Sequence, residues 1–148
     1  MKQLNDESTN TINQMVGMMS GWGIKIDNSN GEFMPLFIST TYDDDSSKIF
    51  TVGHYHSEGG DILADPEMQF LLDLVTGSYF PLYYRLDALE IENYSVKIDN
   101  GLILSVNKSL QGKHTEFANQ WLRNIRQQQN LKHLTLKTLP YGINQVHQ

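Results

Sequence analysis

Met68, Phe70, Leu72 and Leu74 alternate along the chain with Gln69, Leu71, Asp73 and Val75. Side chains two apart share one face of a strand, so this stretch must turn an unbroken apolar face towards a core. The same short period runs from Phe33 to Val106. It predicts strands over residues 33–41, 49–56, 68–75, 79–86, 91–98 and 102–106. Pro35 marks an edge or an irregular start for the first of them. Phe80, Leu82, Tyr84 and Leu86 share one face of the fourth, and Tyr94, Val96 and Ile98 one face of the fifth. Thr76-Gly77-Ser78 is a short turn, and Asn100-Gly101 is the pair that a type I′ turn prefers. Links this short join antiparallel neighbours.

The two ends of the chain change period. Ile12, Met15, Val16 and Met19 follow i, i+3, i+4, i+7, which predicts a helix. Ser8, Thr9 or Asn10 would cap it, and Gly21 and Gly23 would stop it. A second helix is predicted over 116–128, with Thr115 as its cap and Phe117, Trp121, Leu122 and Ile125 on one side. Leu131, Leu134, Leu136 and Leu139 fit a last strand or a packing tail, and residues 140–148 are expected to fray. The expected fold is α+β: an antiparallel sheet of five to six strands flanked by an N-terminal and a C-terminal helix. At 148 residues it is expected to form one domain.

Composition narrows the chemistry. There is no cysteine, which excludes disulfides, thiolate metal sites and cysteine nucleophiles. No run of about 18 apolar residues predicts a membrane span. The first seven residues lack the apolar core of a signal peptide, and a cytoplasmic location is the simplest expectation. The formal net charge is −6, unevenly spread. Residues 1–107 hold 5 Lys/Arg against 16 Asp/Glu, whereas residues 108–148 hold 6 against Glu116. P-loop, dinucleotide-binding and Gly-x-Ser-x-Gly patterns are absent from the sequence.

The densest group of polar functional residues runs from Gly53 to Met68. His54 and His56 share a face of their strand, with Asp61 and Asp65 on the loop beyond. Two imidazoles and carboxylates suit a divalent metal that activates water. The His-x-His pair is similar to that of β-lactamase-type metal hydrolases. Ser57, Glu58 and Gly59 nevertheless stand where those enzymes place a second histidine after an aspartate. The alternative is scaffold: histidine bonded to a nearby carbonyl, Asp61 and Asp65 bonding turn backbone, and Pro66 holding Asp65 extended.

His54-Tyr55, Gly60-Asp61 and Asp65-Pro66-Glu67-Met68-Gln69-Phe70 resemble the signature HY…(N)GD…DPEMxF. It belongs to a family of small, functionally uncharacterised proteins of bacterial plasmids, phages and integrated elements. Pro81 to Asp87 resembles that family's aromatic run followed by Arg-Asn-Asp, and Phe117 to Ile125 resembles its terminal helix. The resemblance covers about residues 49–128. Gly59 stands where asparagine is usual, Leu86 replaces the middle asparagine, and His56 has no counterpart. The resemblance implies a mobile-element setting and no particular reaction.

Three functions are weighed. The first is a non-enzymatic binding or inhibitory protein of a mobile element that modulates a host or defence protein. Its candidate contacts are His54, Tyr55, Asp61, Asp65, Arg85 and Asp87, with the acidic loop Asp43, Asp44 and Asp45. The second is a metal-dependent hydrolase using His54, His56, Asp61 and Asp65. The third is nucleic-acid binding across residues 113–137 through Lys113, Arg123, Arg126, Lys132 and Lys137. The favoured reading has a protein partner, no cofactor, no metal and no catalytic residue.

Overall fold

The computed structural model describes residues 1–131. Helix α1 (Asp6–Gly17) leads into strands β1 (Gly23–Ile26), β2 (Leu36–Asp43), β3 (Ser47–Glu58), β4 (Asp61–Asp73) and β5 (Tyr79–Leu86). A 3₁₀ turn (Asp87–Leu89) precedes β6 (Ile91–Tyr94). A ribbon of β7 (Val96–Asp99) and β8 (Leu102–Val106) follows, and helix α2 (Lys108–Gln128) comes last. Strands β1 to β6 form one antiparallel sheet in chain order, and β7–β8 is a separate two-stranded sheet. The α+β expectation holds, with six strands in the main sheet.

Both helices cover one face. Ile12, Met15, Ala118, Leu122 and Ile125 from the helices meet Leu36, Ile38, Phe50, Val52, Met68, Phe70 and Leu72 from the sheet. Met68, Phe70 and Leu72 are fully buried there, as their alternation requires. Burial of such side chains supplies about 1.5–3 kcal/mol each and is what fixes the strand register. The opposite face is covered in part by the ribbon, where Val96 joins Ile49, Leu71, Leu82 and Tyr83.

Four expectations are corrected. First, α1 starts earlier, at Asp6, because Asn5 caps it by accepting the N–H of Ser8 at 2.8 Å. Second, α2 starts about two turns before Thr115, capped by Asn107, whose side chain accepts the N–H of Leu110. Third, the strand expected over 91–98 breaks at Ser95, so β6 joins the main sheet and β7 leaves it. Fourth, β5 carries a bulge opposite Gln69 and Phe70. A bulge shifts the alternation. Tyr79 and Tyr84 therefore pack with the helix-side residues, while Phe80 and Leu82 belong to the cluster on the other face. Strand β1 is an addition to the expected set.

The Asn100-Gly101 turn is as expected, with φ of 50° and 81°. It abuts the β2–β3 turn so closely that a Cβ on Gly101 would lie 2.7 Å from Tyr42 and Asp44. Leu131 packs against the helix-side core. The rest of the tail over 131–139, the end over 140–148, and Lys132 and Lys137 lie outside the described residues. Among the described residues no helix is long and apolar enough to cross a membrane.

Candidate functional site

Most signature residues lie on the β3–β4 hairpin. Gly59 and Gly60 have φ of 60° and 90°, which lets two residues reverse the chain at its tip. Asp61 pairs with Glu58 there and is exposed, away from the other candidates. Further down, Gly53 faces Glu67 and Tyr55 faces Ala64. One residue of β3, His54, thus stands opposite two of β4, Asp65 and Pro66. Pro66 has no N–H to offer the ladder, and a bulge accommodates it.

On the face away from the helices, the signature's polar groups bond to one another. The Tyr55 ring lies across Gly53, where a Cβ would come within 2.6 Å of the Tyr55 hydroxyl. That hydroxyl donates to Glu67 Oε1 at 2.6 Å. Burial, followed by this bond, raises the Tyr55 pKa well above the usual phenol range. Arg85 donates from Nε and Nη2 to Asp87 Oδ1 and Oδ2 at 2.7 and 2.9 Å. Asp87 Oδ2 also accepts the N–H of Ala64 at 2.7 Å. The Arg85 bond and then the Ala64 bond hold the Asp87 carboxyl below its usual range. Arg85 and Asp87 therefore stitch the end of β5 to the bulged part of β4. Next to them Tyr83 donates to Glu92 and packs on Tyr94, ring centroids 4.5 Å apart.

The acidic loop is also engaged in the fold. Asp44 Oδ1 accepts the N–H groups of Ser46 and Ser47, both at 2.8 Å, and Oδ2 accepts the Tyr42 hydroxyl. The Tyr42 bond, then the two backbone bonds, hold its carboxyl far below the usual carboxylate range. Asp43 accepts from Lys48 Nζ at 2.7 Å, and Asp45 is exposed. This turn receives the tip of the β7–β8 ribbon.

On the helix side, His54 is 6% exposed. Its Nδ1–H donates to the Pro35 carbonyl at 3.0 Å, which fixes the tautomer because a carbonyl only accepts. Its ring meets the Trp121 ring edge-on at 5.8 Å. Burial lowers the His54 pKa against the smaller opposing effects of Pro35 and Asp65. The neutral ring then carries a lone pair on Nε2, and no described residue hydrogen-bonds to it. His54 lines a cleft of about 440 Å³ together with Phe33, Met34, Asp65, Pro66 and Trp121. Glu32, Asn124 and Gln128 complete its rim. His56, half-buried nearby, lies 3.7 Å from Asp65 and 3.6 Å from Glu58.

The structure thus brings His54 and Asp65 to one cleft, places Tyr55, Arg85 and Asp87 in internal pairs, and leaves Asp61 at the hairpin tip. Among the described residues no three His, Asp or Glu side chains come together as a metal would require. Trp121, Phe33 and Glu32 are cleft residues that the sequence did not single out. A family described as a domain of unknown function (DUF6908) matches residues 7–131. The chain belongs to the DUF6908 family. The match runs from α1 past the end of α2, wider than the residues 49–128 that carry the signature resemblance. No curated protein and no solved structure matches the chain.

The DUF6908 domain holds a second buried histidine that sequence reasoning missed. His114 Nδ1 is 2.8 Å from Ser95 Oγ, and Nε2 is 2.8 Å from Asn93 Oδ1. The three residues look like a catalytic triad on paper. Ser95 is only 2% exposed and also bonds the Leu82 carbonyl, so the set ties α2 to the β6–β7 junction. Of the basic residues on α2, Arg123 reaches Glu7 at 3.3 Å, Arg126 is half-buried and Lys113 is exposed.

Proposed function

We propose that this DUF6908 protein is a non-catalytic binding protein that takes a protein partner at the His54 cleft. One observation carries the reading: His54 is buried at a cleft and its Nε2 has no hydrogen-bond partner among the described residues, while Tyr55, Glu67, Arg85 and Asp87 on the other face are bonded to one another in pairs. Buried polar groups in native proteins are nearly always paired, and an exception calls for a reason. A group completed by an incoming partner supplies one. The resemblance of the signature to mobile-element proteins supports a role in modulating a host or defence protein. The acidic charge over residues 1–107 favours a basic partner surface, by charge complementarity.

Asn124 is exposed at the cleft rim, so Asn124→Lys adds bulk and charge there without disturbing the core. Bait protein immobilised in host lysate is expected to retain one stoichiometric protein at low and moderate salt. The Asn124→Lys bait is expected to lose it. No stoichiometric partner for the wild type, or equal retention by the variant, would overturn the proposal.

A further inference from the structure

We infer that the cleft recognises a guanidinium group, presented as an arginine side chain of the protein partner. The inference rests on the reading of the cleft as the partner site and names what enters it. The ionisable groups at the cleft present acceptors, the Glu32 and Asp65 carboxylates and the Nε2 lone pair of the neutral His54, and the Trp121 indole N–H is an uncharged donor beside them. Among the described residues no lysine or arginine lines the cleft. An anion placed there would face two carboxylates and, among the described residues, no lysine or arginine. A cation rich in donors meets a complementary surface.

Shape favours guanidinium over ammonium. The Trp121 and Phe33 rings lie at the same cleft, and Phe33 is 43% exposed. A planar guanidinium stacks on aromatic faces and carries five N–H donors in a rigid fork. It can therefore reach Nε2 and a carboxylate together, whereas an ammonium is a compact point charge that holds its water more strongly. Burial of His54 matters to this scheme. A protonated imidazole would repel the incoming cation, and burial keeps the ring neutral.

The test is an NMR titration of the full chain with three capped tripeptides, acetyl-Gly-X-Gly-amide, where X is arginine, lysine or citrulline. Citrulline keeps the planar shape and removes the charge. The arginine peptide is expected to move the His54 ring and Trp121 indole signals. It should bind roughly tenfold or more tightly than the citrulline peptide, as charge-assisted hydrogen bonds require. Asp65→Asn and Glu32→Gln, both away from the fully buried core, are expected to weaken it by a similar factor. Equal binding of the citrulline peptide, or an unchanged affinity in both variants, overturns the assignment. If lysine or citrulline moves these signals and arginine does not, the guanidinium inference falls and the binding reading stands. If none of the peptides moves them, both fall.

Discussion

His54 and His114 lie at opposite ends of an aromatic row beside α2, His114 by Tyr84 and His54 by Trp121. Burial lowers the pKa of both, and both are neutral near pH 7. They differ in what surrounds the ring. His114 has a bonded partner at each nitrogen, Ser95 and Asn93. His54 has one, the Pro35 carbonyl, and its other nitrogen belongs to a residue lining an open cleft. The same side chain at similar burial serves as scaffold in one place and as an incomplete site in the other. What separates them is whether the fold itself satisfies the second nitrogen.

The same exchange at both positions should separate the two regions most sharply. His114→Phe strands the Asn93 amide oxygen and leaves the Ser95 hydroxyl only its bond to the Leu82 carbonyl, and should destabilise the protein by about 2 kcal/mol in urea unfolding. His54→Phe strands only the Pro35 carbonyl and removes an unpaired acceptor, so about 1 kcal/mol or less is expected. Equal losses would erase the distinction. Arginine-peptide binding should show the reverse order, lost in His54→Phe and retained by any folded His114 variant.

Scaffold pairs on the other face should behave like His114. Tyr55→Phe removes the bond to Glu67 and should cost about 1 kcal/mol while leaving peptide binding intact. Gly53→Ala should lower the melting temperature too, because its Cβ meets the Tyr55 ring and pushes the hydroxyl off Glu67. A loss of peptide binding in Tyr55→Phe would move the site to that face.

The smallest effect is the pH dependence. Both histidines have folded pKa values below the ordinary 6.5, so the unfolded chain binds protons more readily as pH falls through that value. Stability should therefore decline on acidification from about pH 7 to about pH 5, and less in either histidine variant. Asp44 and Asp87, with lowered pKa values, add losses only at more acid pH. At the alkaline end, Tyr55 and Tyr83 hold their protons more tightly when folded, so their contribution is lost as pH rises beyond 10.0. A flat profile between pH 7 and pH 5 would mean that the histidines are not buried as described.

Much of the fold was legible because alternation and turn chemistry act over a few residues. Met68, Phe70, Leu72 and the Asn100-Gly101 turn needed no distant partner to be read. The first two turns of α2 were not legible, because their buried side chains are polar. Gln111 reaches the Lys2 and Pro81 backbone, His114 reaches Ser95 and Asn93, and the Thr115 hydroxyl donates within the helix. Burial by hydrogen bonding leaves no apolar period. The β5 bulge was hidden for a related reason: Phe80, Leu82 and Tyr84 alternate in sequence, and only the pairing with β4 shows the slip. At the site, His54 and Asp65 stood out through the signature. The cleft that gives them meaning needs Trp121 and Phe33, which arrive from distant parts of the chain.

The most direct test is ¹⁵N correlation spectroscopy of the histidine rings in the full chain near pH 7. His54 is expected to carry its proton on Nδ1, with Nε2 unprotonated and shifting when the arginine peptide is added, while the His114 ring stays unchanged. A proton on Nε2 of His54, or a His54 ring that titrates at or above the ordinary 6.5, would contradict the incomplete site on which the functional proposal stands.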